Sequence, residues 1–242
     1  MPSVTAARRA IDTIRGDLAR RGVPPVGRVA SARAPDQLLA LDRYRALADS
    51  YERRTAPGDP YRRQTARALA PAPGETILDV GCGTGLNFEF LEQSIGPHGR
   101  LIGIDQSPEM IELAHERVAR HHWHNVLLLQ ATAEQAQILA TADGALLCGV
   151  HDIMRSPAAL AKVLGHLRPG GRIVAGGPKW VSWWQPGSIA LNLVTWSMNR
   201  DYITTFEGFD RPWSHLASLV PELQHEDVCL GGGYIVRGMR PQ

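Results

Sequence analysis

The sequence predicts a doubly wound α/β protein with a mostly parallel sheet and N-terminal helices, on three observations. Short apolar segments alternate with helical stretches from residue 76 onward. A glycine-rich loop, Gly81-Cys82-Gly83-Thr84-Gly85, follows the first apolar segment, and an acid, Asp105, closes the second. Five such segments separated by helices imply right-handed crossovers and a sheet covered on both faces.

The elements follow in order. Residues 4–20 have the pattern of a short basic helix, broken by Gly22, Pro24, Pro25 and Gly27, so 1–34 reads as a loosely attached basic arm. From Pro35, Leu38, Leu41, Tyr44, Leu47 and Tyr51 recur at three- and four-residue steps and predict a helix. A turn at Pro57, Gly58 and Pro60 leads to a second helix that ends near Ala70, before Pro71 and Pro73. Strands are predicted at 76–80, 100–105, 126–130, 145–150 and 172–175, with helices at 85–95, 107–120, 133–140 and 157–167. Ser107 followed by Pro108 is a strong helix start, a side-chain cap before a residue with no N–H to satisfy. The tail predicts helices at 187–199 and 212–219, then strands at 225–230 and 234–239. Gly231, Gly232 and Gly233 between those strands favour an antiparallel hairpin.

Composition sets the outer limits. With 242 residues, 44% apolar and 21% charged, the chain is an ordinary globular protein. Its net charge is +2, which splits into +5 for residues 1–34 and −3 for the remaining 208. That balance argues against a nucleic-acid-wrapping protein. Three widely spaced cysteines, Cys82, Cys148 and Cys229, form neither a disulfide framework nor a zinc pattern. Reduced thiols and a cytoplasmic location are the expectation. The N-terminus shows no apolar signal region, and the uncharged run 180–199 is too polar for a membrane span.

The glycine loop carries the chemistry. Glycines there let a ligand approach the backbone, and the following helix offers free N–H groups. A nicotinamide-type fingerprint needs glycines at 81, 83 and 86, but position 86 is Leu. Asp105, at the tip of the second strand and twenty residues beyond Gly85, is placed to accept hydrogen bonds from both hydroxyls of a ribose.

Three segments, Leu78–Gly85, Gly103–Met110 and Leu167–Gly171, resemble class I S-adenosylmethionine-dependent methyltransferases. The resemblance covers roughly residues 40–178. Tyr44 and Tyr51, framing Ala48, resemble the segment that closes over the cofactor in the ubiquinone- and menaquinone-biosynthetic branch. It implies a Rossmann-like fold with a seven-stranded sheet and S-adenosylmethionine as cofactor, released as S-adenosylhomocysteine. It implies that Gly81, Cys82 and Gly83 lie against the methionine part, with Asp79 fixing the loop. Asp105 would bind the ribose, while Gln106 and Met110 flank the adenine. Where relatives carry Gly-Asp-Ala-Glu, this chain has Ala131-Thr132-Ala133-Glu134. Thr132 and the Ala133 N–H then stand in for the adenine contacts. Cys148 and Gly149 would line the floor below the sulfonium.

Methyl transfer needs alignment more than acid–base help, since well-oriented reactants gain roughly 7–11 kcal/mol. His151, directly after the fourth strand, is the candidate base, with packing or a loop carbonyl as its other role. Tyr51 would orient an acceptor or shield the cofactor. His115, His121, His122 and His124 fall where a helix ends, so helix-dipole contacts explain them and no metal is assigned.

Trp180, Trp183, Trp184, Trp196 and Trp213 cluster late. On the 187–199 helix, Ile189, Leu193 and Trp196 share a face. Core packing, an apolar or aromatic acceptor pocket and a membrane-touching patch are all open for this cluster. The predicted acceptor residues are Trp180, Trp183, Trp184, Trp196, Tyr202, Arg211 and His215. The resemblance implies a methyltransferase domain at residues 35–242, with a cofactor-binding core at 74–178 and a substrate-side segment at 179–215. The expected acceptor is a small apolar or aromatic molecule of natural-product, quinone or lipid type. Nucleic acid is not expected as a partner, peripheral membrane contact is an option, and monomer and homodimer both remain open. The competing reading is a non-catalytic cofactor-binding or scaffold protein of the same fold.

Overall fold

The computed structural model describes residues 36–242. The basic arm 1–34, with its helix at 4–20, lies outside the described residues. Helix α1 spans Gln37–Thr55 and starts on Asp36, whose side chain accepts from the Leu39 N–H at 3.0 Å. A 3-10 turn, Ala56–Gly58, joins it to α2, Asp59–Leu69. Helix α2 stops at Ala70, which takes a left-handed φ of 49°, before Pro71.

The sheet has seven strands in the order β3-β2-β1-β4-β5-β7-β6. They are β1 Thr76–Val80, β2 Arg100–Asp105, β3 Val126–Gln130, β4 Ala142–Cys148, β5 Leu167–Pro178, β6 Gln224–Val228 and β7 Gly233–Met239. Strands β1 to β5 pair in parallel, and β7 runs antiparallel between β5 and β6. The predicted closing hairpin is therefore present, with Val228 facing Gly233 across its end.

The crossovers are α3 Phe88–Ile95, α4 Pro108–Arg120, α5 His151–Met154 and α6 Pro157–His166, and the tail adds α7 Ser188–Asn199 and α8 Ser214–Leu219. Ser107 caps α4 as predicted, accepting from the Met110 N–H at 3.3 Å. One core packs Leu78, Ile102, Leu147 and Ile173 under α6 and α8; the other packs Ile77, Leu101, Leu146 and Val174 under α2, α3 and α4. Adjacent strand residues thus alternate between the two faces, as a doubly covered sheet requires.

Several predicted boundaries are corrected. No helix forms at 133–140: after one turn at 132–135 the chain has no regular secondary structure. Ala136 and Ile138 are buried while Gln137 and Leu139 face outward, a period of two that a helix cannot give. Helix α3 begins at Phe88, not 85, because Gly81, Gly83 and Gly85 all adopt positive φ. Strand β4 ends at Cys148 and the short helix α5 follows, where the sequence predicts strand to residue 150. Strand β5 starts at Leu167, five residues before the predicted start, because it pairs with β4 at Ala142 and with β7 up to Met239.

Candidate active site

The order of the sheet reverses between β1 and β4, and the site opens at the carboxyl ends of β1, β2 and β4 beside that switch point. The glycine loop folds back across β2: the N–H groups of Gly81 and Cys82 both donate to Ile104 O, at 2.7 and 3.0 Å. Gly81 has a φ of 70°, and a methyl group on it would meet Val150 Cγ1 at 2.4 Å. Only glycine fits that crossing. Below the loop, Asp79 is fully buried and accepts from Asn87 Nδ2 through both oxygens at 3.1 Å. This pins the end of β1 to the start of α3. Burial raises the Asp79 pKa to about 7, with Asn87 opposing the shift and the Asp105 charge adding to it.

Asp105 ends β2 and organises the mouth of the loop. Its Oδ2 accepts from the Gly83 N–H and its Oδ1 from the Ser107 N–H, both at 2.9 Å. Burial raises its pKa, and the backbone donors of Ser107, Gly83 and Gln106 hold it down. Each carboxylate oxygen accepts more than one hydrogen bond, so ribose hydroxyls can still be received there.

A cavity of about 370 Å³ opens beside these residues. Gly81, Gly83, Asp105, Gln106 and Met110 line one side. Thr132, Ala133, Cys148, Gly149 and His151 line the other, and Tyr51 and Tyr202 close over it. Thr132 Oγ1 accepts from the Gln135 N–H at 3.3 Å and keeps its own proton for a ligand. Of the predicted cofactor residues, Asp79 lies beneath the loop, and Cys82 faces a neighbouring chamber.

That chamber, about 190 Å³, shares Tyr44, Tyr51, Gly81, Cys148, Gly149, Tyr202 and Ile203 with the cavity. Its other walls include Tyr61, Arg54, Arg62, Pro178 and Met198. The roof is a seam between α1 and residues 199–204. Tyr44, Tyr51 and Tyr202 form an aromatic triangle with centroids 5.8–6.4 Å apart. Arg43 donates to Ile203 O, Arg54 pairs with Asp201 at 2.8 Å, and Thr204 Oγ1 donates to Asp152 Oδ2 at 2.8 Å. From the other side, Arg117 of α4 donates to Thr84 O and pairs with Glu52, tying the glycine loop to α1.

His151 is buried against Phe209, ring edge to face at 4.9 Å. Burial, assisted by the Arg155 charge, lowers its pKa to about 4 against the opposing pull of backbone groups of Glu207 and Thr205. It is neutral at pH 7. Cys148 is pushed the other way, to about 12, chiefly by burial, so its thiol stays protonated.

The predicted acceptor residues scatter. Tyr202 lines both chambers. Trp180 stacks on Phe206 and meets Phe209 edge to face in a small satellite core. Trp196 borders a surface groove with Arg43 and Phe206. Trp183 and Trp184 are 72% and 67% exposed, and Ile189 and Val194 of α7 also face outward. Arg211 is exposed, and His215 contacts Arg155 at 3.2 Å through Nε2. Of the predicted acceptor residues, Tyr202 alone lines the two chambers. Trp213 packs in the main core.

Sequence reasoning missed Arg54, Arg62 and Tyr61 as lining residues. They carry no motif, and only the docking of α1 and α2 over the strand ends brings them there. Asp152 holds Thr204 over the cavity, accepting from its N–H and its hydroxyl.

Residues 77–171 match a protein family described as a methyltransferase domain. An uncharacterized 37.1 kDa protein in a Streptomyces fradiae transposon is 36% identical over 161 residues, covering 64% of this chain and 43% of that protein. The trans-aconitate 2-methyltransferase of Pseudomonas paraeruginosa is 37% identical over 188 residues, 69% of this chain and 66% of that enzyme. The chain therefore spans under half of the first relative and about two thirds of the second. Among solved structures, an N-methyltransferase of Bradyrhizobium japonicum in complex with S-adenosylhomocysteine has a TM-score of 0.58, covering 84% of this chain and 99% of that one. At 19% identity, that likeness is one of fold.

Proposed function

The chain belongs to the class I S-adenosylmethionine-dependent methyltransferases, and we propose that it transfers a methyl group to a small acceptor held in the smaller chamber. The observation that carries this reading is the shared wall. Tyr51, Cys148 and Gly149 border both the cavity beside Asp105 and the chamber behind it. The residues fit the cofactor: a carboxylate sits at the β2 tip, and the glycine loop approaches with no side chain in the way. S-adenosylmethionine supplies an electrophilic methyl whose bond to sulfur breaks as the acceptor's lone pair forms the new one, leaving a neutral thioether.

The chain supplies placement. Asp105, Gln106, Met110, Thr132 and Ala133 hold the nucleoside end, and the Gly81–Gly83 backbone holds the methionine end. Tyr44, Tyr51 and Tyr202 exclude water from the border between the chambers, where alignment counts most. The phenol of Tyr51 stays protonated, because burial raises its pKa. His151, neutral and buried, lines the cavity wall, neither ring nitrogen has a hydrogen-bond partner among the described residues, and with a pKa near 4 it is a weak base. The mechanism therefore favours an acceptor that reaches the site already deprotonated, or that loses its proton to water.

A chamber of about 190 Å³ suits one ring with small substituents, since a cavity of about 150 Å³ holds benzene. We read the acceptor as a small aromatic or apolar molecule, with any long tail leaving through the roof. If the chain touches a membrane, Trp183 and Trp184 are the residues that meet it. No described helix is long and apolar enough to cross one. We read residues 35–242 as one functional domain, with its substrate side formed by α1, α2 and residues 198–204 rather than by all of 179–215.

Incubation with methyl-labelled S-adenosylmethionine and a panel of one-ring acceptors tests the assignment. Label transfer supports it. S-adenosylhomocysteine binding without transfer to any acceptor favours the scaffold reading.

A further inference from the structure

We infer that the acceptor carries an anionic group, in the simplest case a carboxylate, and that Arg62 receives it in the smaller chamber. This rests on the two-chamber reading above. The chambers differ in charge. Three carboxylates, Asp105, Glu134 and Asp152, wall the larger one, against the single guanidinium of Arg155. Two guanidiniums, Arg54 and Arg62, wall the smaller, and among the described residues no carboxylate lines it. A cationic methyl donor and an anionic acceptor are matched by that division.

The two arginines are not equivalent. Arg54 is engaged, with Nε on the Tyr202 hydroxyl at 3.1 Å and Nη2 on Asp201 at 2.8 Å. Arg62 donates through Nη2 to Thr55 O at 2.8 Å and to Asp59 Oδ1 at 2.5 Å. These bonds fix the plane of its guanidinium, and its side chain is only 14% exposed. Its Nε is buried and has no hydrogen-bond partner among the described residues. A buried donor on a cation left unmet costs more than a neutral one, and a carboxylate meets both the hydrogen bond and the charge. Asp59, half exposed, compensates part of that charge through Nη2 and leaves Nε unmet.

Position supports the same assignment. The Arg62 charge reaches Tyr51 and Cys148, the residues at the border between the chambers. An acceptor of one ring, anchored on Arg62, spans from the anchor toward that border. The shape of the chamber and the fixed guanidinium together make Arg62 a specificity-determining residue.

The test uses the full chain saturated with S-adenosylhomocysteine. Benzoate and 4-hydroxybenzoate are titrated against their carboxamides by calorimetry, in wild type, Arg62→Gln and Arg62→Lys. We expect the acids to bind at least tenfold tighter than the amides in wild type. Arg62→Gln should abolish that preference and Arg62→Lys retain part of it. Equal binding of acids and amides, binding of neither, or an unchanged preference in Arg62→Gln overturns the inference. S-adenosylhomocysteine binding in the same samples reports folding; if Arg62→Gln does not fold, the wild-type comparison decides. Failure of wild type to bind S-adenosylhomocysteine defeats the cofactor assignment and this inference together. Its binding without an acid preference defeats this inference alone.

Discussion

The backbone N–H of Gly83 donates to Asp105 Oδ2 at 2.9 Å, so the side chain at the tip of the second strand holds the glycine loop beside the two backbone bonds to Ile104 O. Asp105 accepts from Ser107 through its other oxygen and so also fixes the entry to α4. The acid we propose for the ribose is thus the one that shapes the glycine loop. Asp105→Ala should weaken S-adenosylhomocysteine binding at least tenfold, since hydrogen bonds to a charged group contribute roughly 1.5–3 kcal/mol. Calorimetry on the folded variant checks it. Unchanged affinity would remove Asp105 from the cofactor site.

Gly81 and Gly83 both have positive φ but differ in space. At Gly81 a methyl group would meet Val150 Cγ1 at 2.4 Å, whereas at Gly83 the nearest atom is Tyr51 Cε1 at 3.9 Å. Gly81→Ala should therefore cost more stability than Gly83→Ala: overpacking of roughly 1–3 kcal/mol on top of the roughly 1–2 kcal/mol left-handed penalty that both share. Denaturant melts of the two variants give the order. A larger loss at Gly83 would contradict the loop geometry.

His151 makes a prediction in pH. Its pKa falls from 6.5 when unfolded to about 4 when folded, so the unfolded chain binds more protons between those values. The stability from keeping it neutral is present above pH 6.5 and is lost as pH falls toward 4. Asp79 acts with the opposite sign, because a pKa raised to about 7 removes stability as pH rises from 3.8 to 7. A difference measurement separates them. Wild type should lose stability relative to His151→Phe between pH 6.5 and 4, by about 3 kcal/mol at 1.36 kcal/mol per pKa unit. A difference that is flat over that window would place His151 in contact with water.

Trp183 and Trp184 stand 72% and 67% exposed and line neither chamber. Replacing both with Ser should change unfolding free energy by less than about 0.5 kcal/mol, as for surface positions generally. S-adenosylhomocysteine affinity should not move. A tenfold weaker affinity would bring this ridge into the site.

Much of this was legible where chemistry and local structure coincide. The Ser107-Pro108 start, the glycine loop and Asp105 are each fixed within a few residues of sequence, and the structure places them as the sequence predicts. The stretch 133–140 was not, because Ala and Gln favour helix while the core takes in Ala136 and Ile138 and leaves Gln137 and Leu139 outside. The tryptophans misled for a related reason. Aromatic residues beside a site pattern suggest a pocket, but α7 packs with only Ser188 buried and turns its apolar face outward. The roof was the least legible part. It depends on Thr204 meeting Asp152, and Arg43 meeting Ile203, across 52 and 160 residues of chain. No local period records such contacts.

The most direct measurement is a crystal structure of the chain with S-adenosylhomocysteine bound. We expect the ribose hydroxyls on Asp105 and the sulfur facing the border of Tyr51, Cys148 and Gly149, directed toward the chamber that holds Arg62. A ribose bound away from Asp105, or a sulfur turned from that chamber, would contradict the assignment of donor and acceptor sites.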